Sequence, residues 1–363
     1  MTVFRGAKKQ GNGIPIIIGQ FCEIAKYLAR KGSIYGKMNQ ENYLTGHCSW
    51  QREVFILSIV GLGCMILAAF FFGSLGPAER IAFEHGVTPA GVSVVRAVAG
   101  AFVVTLYALF RDPGALVPGF RDAWKYALAG LFGVVFVYYL SNIAFVTIPV
   151  GLTVILFYTN PIWTMVGSAL MGKERFTLAR LAALLAGFSG VWLAVGGAGG
   201  RAGGSLDPVG VAAAVISGVG YSVYMLNSRY GTGKREPFKT FVQMFLWGAA
   251  IMTAIALFRG EMPVFRGMPS TAILSLGHLV VFPTILSYAL ISYALKYLPG
   301  TVASITSMSE ILFAGLIAWA LLGEVPSGGQ VQGGALIVFA VMLLLVEGNI
   351  RAGCGKERVK DQP

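Results

Sequence analysis

Charge is what this sequence has least of. Asp, Glu, Lys and Arg make up 12% of its 363 residues, about half the share that a water-soluble domain carries. Such a chain cannot cover a water-facing surface, so lipid must be its solvent. Histidine is scarce too: His47, His85 and His278 form no HExxH or other metal-ligand spacing. The four cysteines (Cys22, Cys48, Cys64 and Cys354) include no CxxC pair, and Cys64 lies inside an apolar run. Neither a zinc site nor a disulfide framework is indicated. No GxxxxGK[ST] loop is present, so ion coupling or facilitated flux must supply the energy of any transport. Nothing in the sequence calls for a cofactor.

What is abundant is apolar surface and glycine. Hydrophobic residues reach 56%, mean hydropathy is +0.71, and there are 48 glycines, the small residues that let membrane helices pack closely. Residues 1–53 differ from the rest. They are polar and basic, with an apolar patch at Ile14–Gly19 too short for a signal-peptide core and no A-x-A site after it. Within them FCEIAKYLARK (21–31) reads either as an amphipathic helix on the inner membrane surface or as a disordered tail, and Met38 is an alternative start. From 54 onward apolar segments alternate with short polar loops. Spans are expected near 54–76, 89–110, 126–146, 150–171 and 180–197, then, after a Gly-rich linker (198–207), near 208–227, 240–258, 271–295, 301–322 and 330–347. A basic tail, 348–363, follows.

The net charge of +12 fits membrane orientation rather than nucleic acid. With ten spans and both termini in the cytoplasm, 23 of the 28 Lys and Arg fall on the cytoplasmic side and four on the other. Arg96 lies within a span. Miscounting by one helix would scramble that asymmetry. The expected place is the cell (plasma or inner) membrane, crossed many times.

Sliding the chain by 150 residues aligns its halves without gaps from the third span to the fifth. Tyr138 falls on Tyr288, Ala144 on Ala294, Pro149 on Pro299, Ile155 on Ile305 and Glu174 on Glu324. Five spans per copy is an odd number, so the copies have opposite orientation, the arrangement that suits alternating access. The fold class is therefore an all-α polytopic membrane protein, ten transmembrane helices in two inverted five-helix repeats, 54–197 and 208–347. A span ending at a glutamate, then a polar turn and a Gly-containing span, appears twice: MGKERFTLARLAALLAGFSGVWLAV (171–195) and LGEVPSGGQVQGGALIVFAVMLLLV (322–346). With ten spans and an arginine inside the second (VVRAVAGAFV, 94–103), the chain resembles the EamA branch of the drug/metabolite transporter superfamily. The resemblance implies a transporter of small organic metabolites such as amino acids, in the direction of export.

Mid-membrane polar residues are the candidate site. Glu310 lies near the middle of the 22-residue run 301–322, about 33 Å long as a helix. A charge at that depth costs ~2.5–3.5 kcal/mol to insert, so it is usually functional. Here it is the candidate proton-coupling acid; the alternative is a protonated structural carboxyl. Arg96, at comparable depth, is expected to hold a substrate carboxylate or Glu310; the alternative is an arginine snorkelling to the outer interface. Asn160 is the repeat partner of Glu310, and Pro161 after it frees a backbone carbonyl one turn earlier. Tyr138 and Asn142, four apart on one helix face, have repeat partners Tyr288 and Ser292. Tyr221, Tyr224 and Trp163 complete the candidate substrate-binding set, as aromatic rings with polar tips, or else serve core packing and the interface belt. Glu174 and Glu324 are expected to cap following helices near Thr177 and Ser327. Ala182, Ala186, Gly190 and Ala194 form a small-residue seam, within the chain or between the protomers of a homodimer.

The partners expected are a small-molecule substrate, protons or another ion, and the bilayer. The alternative function is a membrane-embedded enzyme acting on a lipid or prenyl substrate, which would need clustered Asp, His or Lys at one membrane face. Glu79, Glu84 and His85, read as the first loop, lack such a spacing. A scaffold subunit without a cavity is a third class.

Overall fold

The computed structural model describes residues 47–117, 123–196, 207–231, 237–263, 267–323 and 325–354. The segment 21–31, most of the linker and Glu324 lie outside the described residues. Among those described, every element is helical and there is no strand. Eight helical stretches are long and apolar enough to cross a membrane. In chain order these are the first span, Ser58–Glu84, the second, Pro89–Arg111, the third, Ala123–Thr147, and the sixth, Pro208–Tyr230. The seventh, Phe238–Arg259, the eighth, Ser270–Ala294, the ninth, Gly300–Leu321, and the tenth, Gly328–Glu347, complete them. The fifth span is the shorter apolar helix Leu178–Ala194. The fourth is a pair of helices, Val150–Phe157 and Asn160–Leu170. Large apolar side chains such as Phe110, Phe258 and Leu170 stand on the outside. That would be a liability in water, and it is what a lipid-facing surface requires.

The contacts obey the 150-residue exchange. The third span packs on the sixth as the eighth packs on the first, and the third packs on the seventh as the eighth packs on the second. The second–seventh, fourth–ninth and fifth–tenth pairs map onto themselves. Two spans also lose regular α-geometry at equivalent places. The third is π-helical over Leu131–Leu140 and the eighth over Val280–Leu286. In the eighth, Pro283 inside the segment removes an i→i−4 hydrogen bond.

The first span corrects one reading. The Gly-Pro at 76–77 does not end the helix. It lies in the opening turn of Leu75–Glu84, where a proline's missing N–H costs nothing. Glu79 is therefore not in a loop but on a helix face with Ala78 and Ala82, and buried.

The small-residue seam is internal. A Cβ on Gly333 of the tenth span would lie 2.3 Å from the Gly190 carbonyl oxygen, and one on Gly190 would lie 2.6 Å from the Gly333 carbonyl oxygen. Ala194 closes the same contact, whereas Ala182 at the other end is exposed. A gentler interface joins Asn160–Leu170 to Gly300–Ser307. There the hydroxyls of Thr164, Ser168, Ser304 and Ser307 each donate to a carbonyl of their own helix three or four residues back. Across the interface a contact between Ser168 and Thr301 hydroxyls spans 3.4 Å.

At one end of that interface lies a buried ionic cluster. Glu174 does not cap the helix that follows it; Thr177 does, accepting from the Arg180 N–H. Glu174 instead pairs with Arg180 at 2.6 Å, accepts from the Tyr230 hydroxyl at 2.6 Å, and accepts from the Thr301 backbone N–H at 3.2 Å. Arg180 also meets Glu347 at 3.4 Å, and Thr177 donates to the same carboxylate. Ends of five spans are thereby joined. At the start of the tenth span Ser327 is the capping residue, its hydroxyl accepting from Gln330 N–H while the Gln330 side chain accepts from Ser327 N–H.

Gly333→Ala is expected to lower stability by about 1–3 kcal/mol through overpacking, read as a drop in melting temperature. Gly63→Ala, where a Cβ meets nothing within 4 Å, should leave it unchanged; equal shifts would mean the seam is loose. Arg180→Gln removes the cation shared by Glu347 and the buried Glu174 and is expected to cost about 3–5 kcal/mol. Arg259→Gln, whose side chain is 55% exposed beside Glu261, should cost no more than about 1 kcal/mol. Denaturation of the two variants side by side decides the ordering.

Candidate functional site

Arg96 projects from the second span and is 5% exposed. Its Nη1 donates to Glu79 Oε1 of the first span at 3.3 Å, and its Nε to Thr284 Oγ1 of the eighth at 3.0 Å. Its guanidinium lies 4.2 Å from the centroid of the Tyr138 ring, on the third span. The repeat-equivalent π-helical segments of the third and eighth spans are thus used: one presents Tyr138 and the other Thr284, whose hydroxyl donates to the Leu279 carbonyl five residues back. The ion pair is with Glu79, not Glu310, and nothing about Arg96 snorkels. Buried guanidinium groups persist only when paired and hydrogen-bonded in this way.

The fourth and ninth spans break at repeat-equivalent positions. In the fourth, Pro161 frees the Phe157 carbonyl, and the Asn160 side chain donates to that oxygen at 3.1 Å. In the ninth, Thr306, Ser307 and Ser309 donate to carbonyls three or four residues back, the local competition that weakens a helix. A new helix then starts with Glu310 in its first turn, where the helix dipole favours a carboxylate. The two breaks meet: the Tyr158 hydroxyl donates to Glu310 Oε2 at 2.8 Å.

Between the Arg96 and Glu310 groups lies a cavity with about 120 Å³ of water-accessible space. One water needs ~10–15 Å³ by the same measure, so the cavity has room for a small organic molecule. Its apolar wall includes Phe72, Val137, Phe145 and Phe157. Of the residues singled out from sequence, Arg96, Tyr138, Asn142, Tyr221, Tyr288 and Glu310 line it. Asn142 donates to the Pro89 carbonyl at 2.8 Å and to the Ser93 hydroxyl, fixing the third span to the start of the second. Tyr288 is fully buried, donates to the Gly133 carbonyl and lies edge-on to Tyr138. The Tyr138 hydroxyl is buried in the wall without a hydrogen-bond partner.

The other four stand away from the cavity lining. Trp163 is 42% exposed and donates to the Thr159 hydroxyl. Asn160 is buried at its helix break with Oδ1 unpartnered. Tyr224 and Ser292 meet each other at 3.3 Å behind Tyr288. Glu79, Tyr158, Thr284 and Ser307 were not among the sequence candidates. Tyr158 carried a usable signal, three residues before Pro161. Thr284 carried one as the neighbour of Pro283.

A family model described as the EamA-like transporter family matches the chain twice, over residues 59–196 and 208–346. The "Uncharacterized transporter YdfC" of Bacillus subtilis (strain 168) is 25% identical over 279 residues, 77% of this chain and 88% of the relative. A "Probable terminal-alkyne amino-acid exporter" of Streptantibioticus cattleyicolor is 28% identical over 284 residues, 77% of this chain and 91% of the relative. A solved crystal structure aligns with a TM-score of 0.64 at 20% identity, covering 82% of this chain and 98% of the other; at that identity the likeness concerns the fold alone.

Proposed function

Because the chain belongs to the EamA-like transporter family, we propose that it exports small organic metabolites, amino acids among them, by secondary-active alternating access coupled to protons at Glu310. The observation that carries this reading is the contact between Tyr158 and Glu310, where two broken spans from opposite repeats meet at a membrane-embedded cavity. Helix breaks at such depth are tolerated where they line a cavity, and they mark binding sites in transporters built from inverted repeats. The amino-acid exporter named among the relatives supports both the substrate and the direction.

In this mechanism the spans around the cavity shift against one another so that it opens to one side of the membrane and then to the other. Glu79 and Thr284 hold Arg96 against the Tyr138 ring, so that the second span carries the first, third and eighth with it. Tyr158 orients the Glu310 carboxyl, which takes a proton from one side and releases it to the other. The substrate body lies against Tyr138, Tyr221 and Tyr288. The Lys and Arg distribution supports a reading with both termini in the cytoplasm and the protein in the cell's plasma or inner membrane.

The test is efflux of labelled amino acids from proteoliposomes with and without an imposed pH gradient. Wild type is expected to respond to the gradient. Glu310→Gln should lose at least tenfold of the gradient-driven rate while keeping exchange down a substrate gradient, and Arg96→Ala should lose both. Full proton-coupled flux in both variants would refute the reading, and product formation without flux would turn it toward an enzyme.

A further inference from the structure

Three charged side chains line the cavity: Glu79, Arg96 and Glu310. The first two form an ion pair at 3.3 Å with side chains 9% and 6% exposed, and they cancel. Glu310 accepts from the Tyr158 hydroxyl, and no described Lys, Arg or His forms an ion pair with it. When it is ionised, the cavity therefore carries one unbalanced negative charge. A low-dielectric site disfavours any net charge, so this one is balanced by a single proton or a single organic cation, the two competing for the same oxygens. Arg96 offers an anion little: Nη1 and Nε are engaged and the guanidinium lies against Tyr138. The walls are aromatic, and aromatic faces attract cations. The Tyr138 hydroxyl, in a residue 2% exposed, still lacks a partner.

We infer that Glu79 sets the charge class of the cargo. By neutralising Arg96 it leaves Glu310 as the sole unbalanced charge, and the cavity exchanges one proton for one organic amine bearing a single net positive charge on an apolar or aromatic body. No covalent bond changes. The ammonium group donates to the carboxylate, and the proton that occupied it leaves to water on the other side. A zwitterion meets the same carboxylate with its ammonium group but brings its own negative charge into the cavity, so it replaces the proton less favourably than the amine does. The charged and titratable groups that share the cavity with Glu310 are Arg96, Glu79, Tyr158, Tyr221, Tyr138 and Tyr288, and of these Glu79 and Arg96 set the charge balance without touching the carboxylate itself. The inference rests on the transport reading for its exchange step, but the charge preference is a binding property.

Three probes of similar size and different charge test it: 2-phenylethylamine (+1), phenylalanine (0) and 3-phenylpropionate (−1). Each is titrated against the purified full-length protein, with binding read by thermal shift and by equilibrium titration. Wild type is expected to bind the amine at least tenfold more tightly than either of the others, and to lose amine affinity as pH falls. Glu310→Gln should abolish that preference. Glu79→Gln should shift the ratio at least tenfold toward phenylalanine. Should burial of an unpaired Arg96 unfold that variant, Glu79→Gln combined with Arg96→Gln keeps the same net charge and should retain the amine preference. Equal or tighter binding of 3-phenylpropionate by wild type, no shift with any probe, or a double variant without preference would each overturn the inference. Amine-selective binding without flux would reject the transport reading and leave the charge assignment standing. Flux without charge selectivity would do the reverse.

Discussion

One guanidinium ties four membrane spans together. Arg96 leaves the second span and reaches a carboxylate on the first, a ring on the third and a hydroxyl on the eighth. In hydrocarbon there is no water to take over any of these contacts, so each partner must be supplied by the protein and held in place. That requirement accounts for features that otherwise look like irregularities. The π-helical segments of the third and eighth spans lie where a partner has to be presented, Tyr138 from one and Thr284 from the other. The helix that continues past Gly76–Pro77 exists to carry Glu79 inward. The cavity sits beside this group, with Glu79, Arg96 and Tyr138 in its lining.

The frame is twofold and the chemistry is not. Position by position, the exchange of halves sets Asn160 against Glu310 and Tyr158 against Met308. A neutral amide at one break answers its own freed carbonyl, while a carboxylate at the other takes a hydroxyl from the opposite half. Duplication has preserved the breaks and the packing pairs while letting the side chains at the centre diverge. The two copies thus form one cavity with distinct ends.

Much of this was readable in the residue order, for reasons that are local. Membrane-length apolar runs and the Lys and Arg between them fixed the spans, and the shared proline and glutamate punctuation exposed the repeat. Pro161 announced a bend because a missing N–H has the same effect in any helix. What escaped was pairing. Glu79 followed a Gly-Pro and preceded Arg80 and Glu84, which looks like a turn until the proline is seen to occupy a first turn. Tyr224, Ser292 and Trp163 had the right chemistry and the right depth, but a helix face cannot be assigned to a cavity or to lipid without its neighbours. Likewise the partner of Arg96 was sought at equal depth on a distant span and found one helix away in the sequence.

The hydroxyl interface between Asn160–Leu170 and Gly300–Ser307 has a mechanical meaning. Because Thr164, Ser168, Ser304 and Ser307 satisfy themselves on their own helices, pulling the two helices apart breaks almost no hydrogen bonds and uncovers a surface that water can wet. The glycine seam between the fifth and tenth spans is its opposite, interlocked backbone to backbone with nothing to offer a solvent. The molecule is thus welded along one edge and merely closed along another, and the closed edge runs from the cavity to the Glu174 cluster.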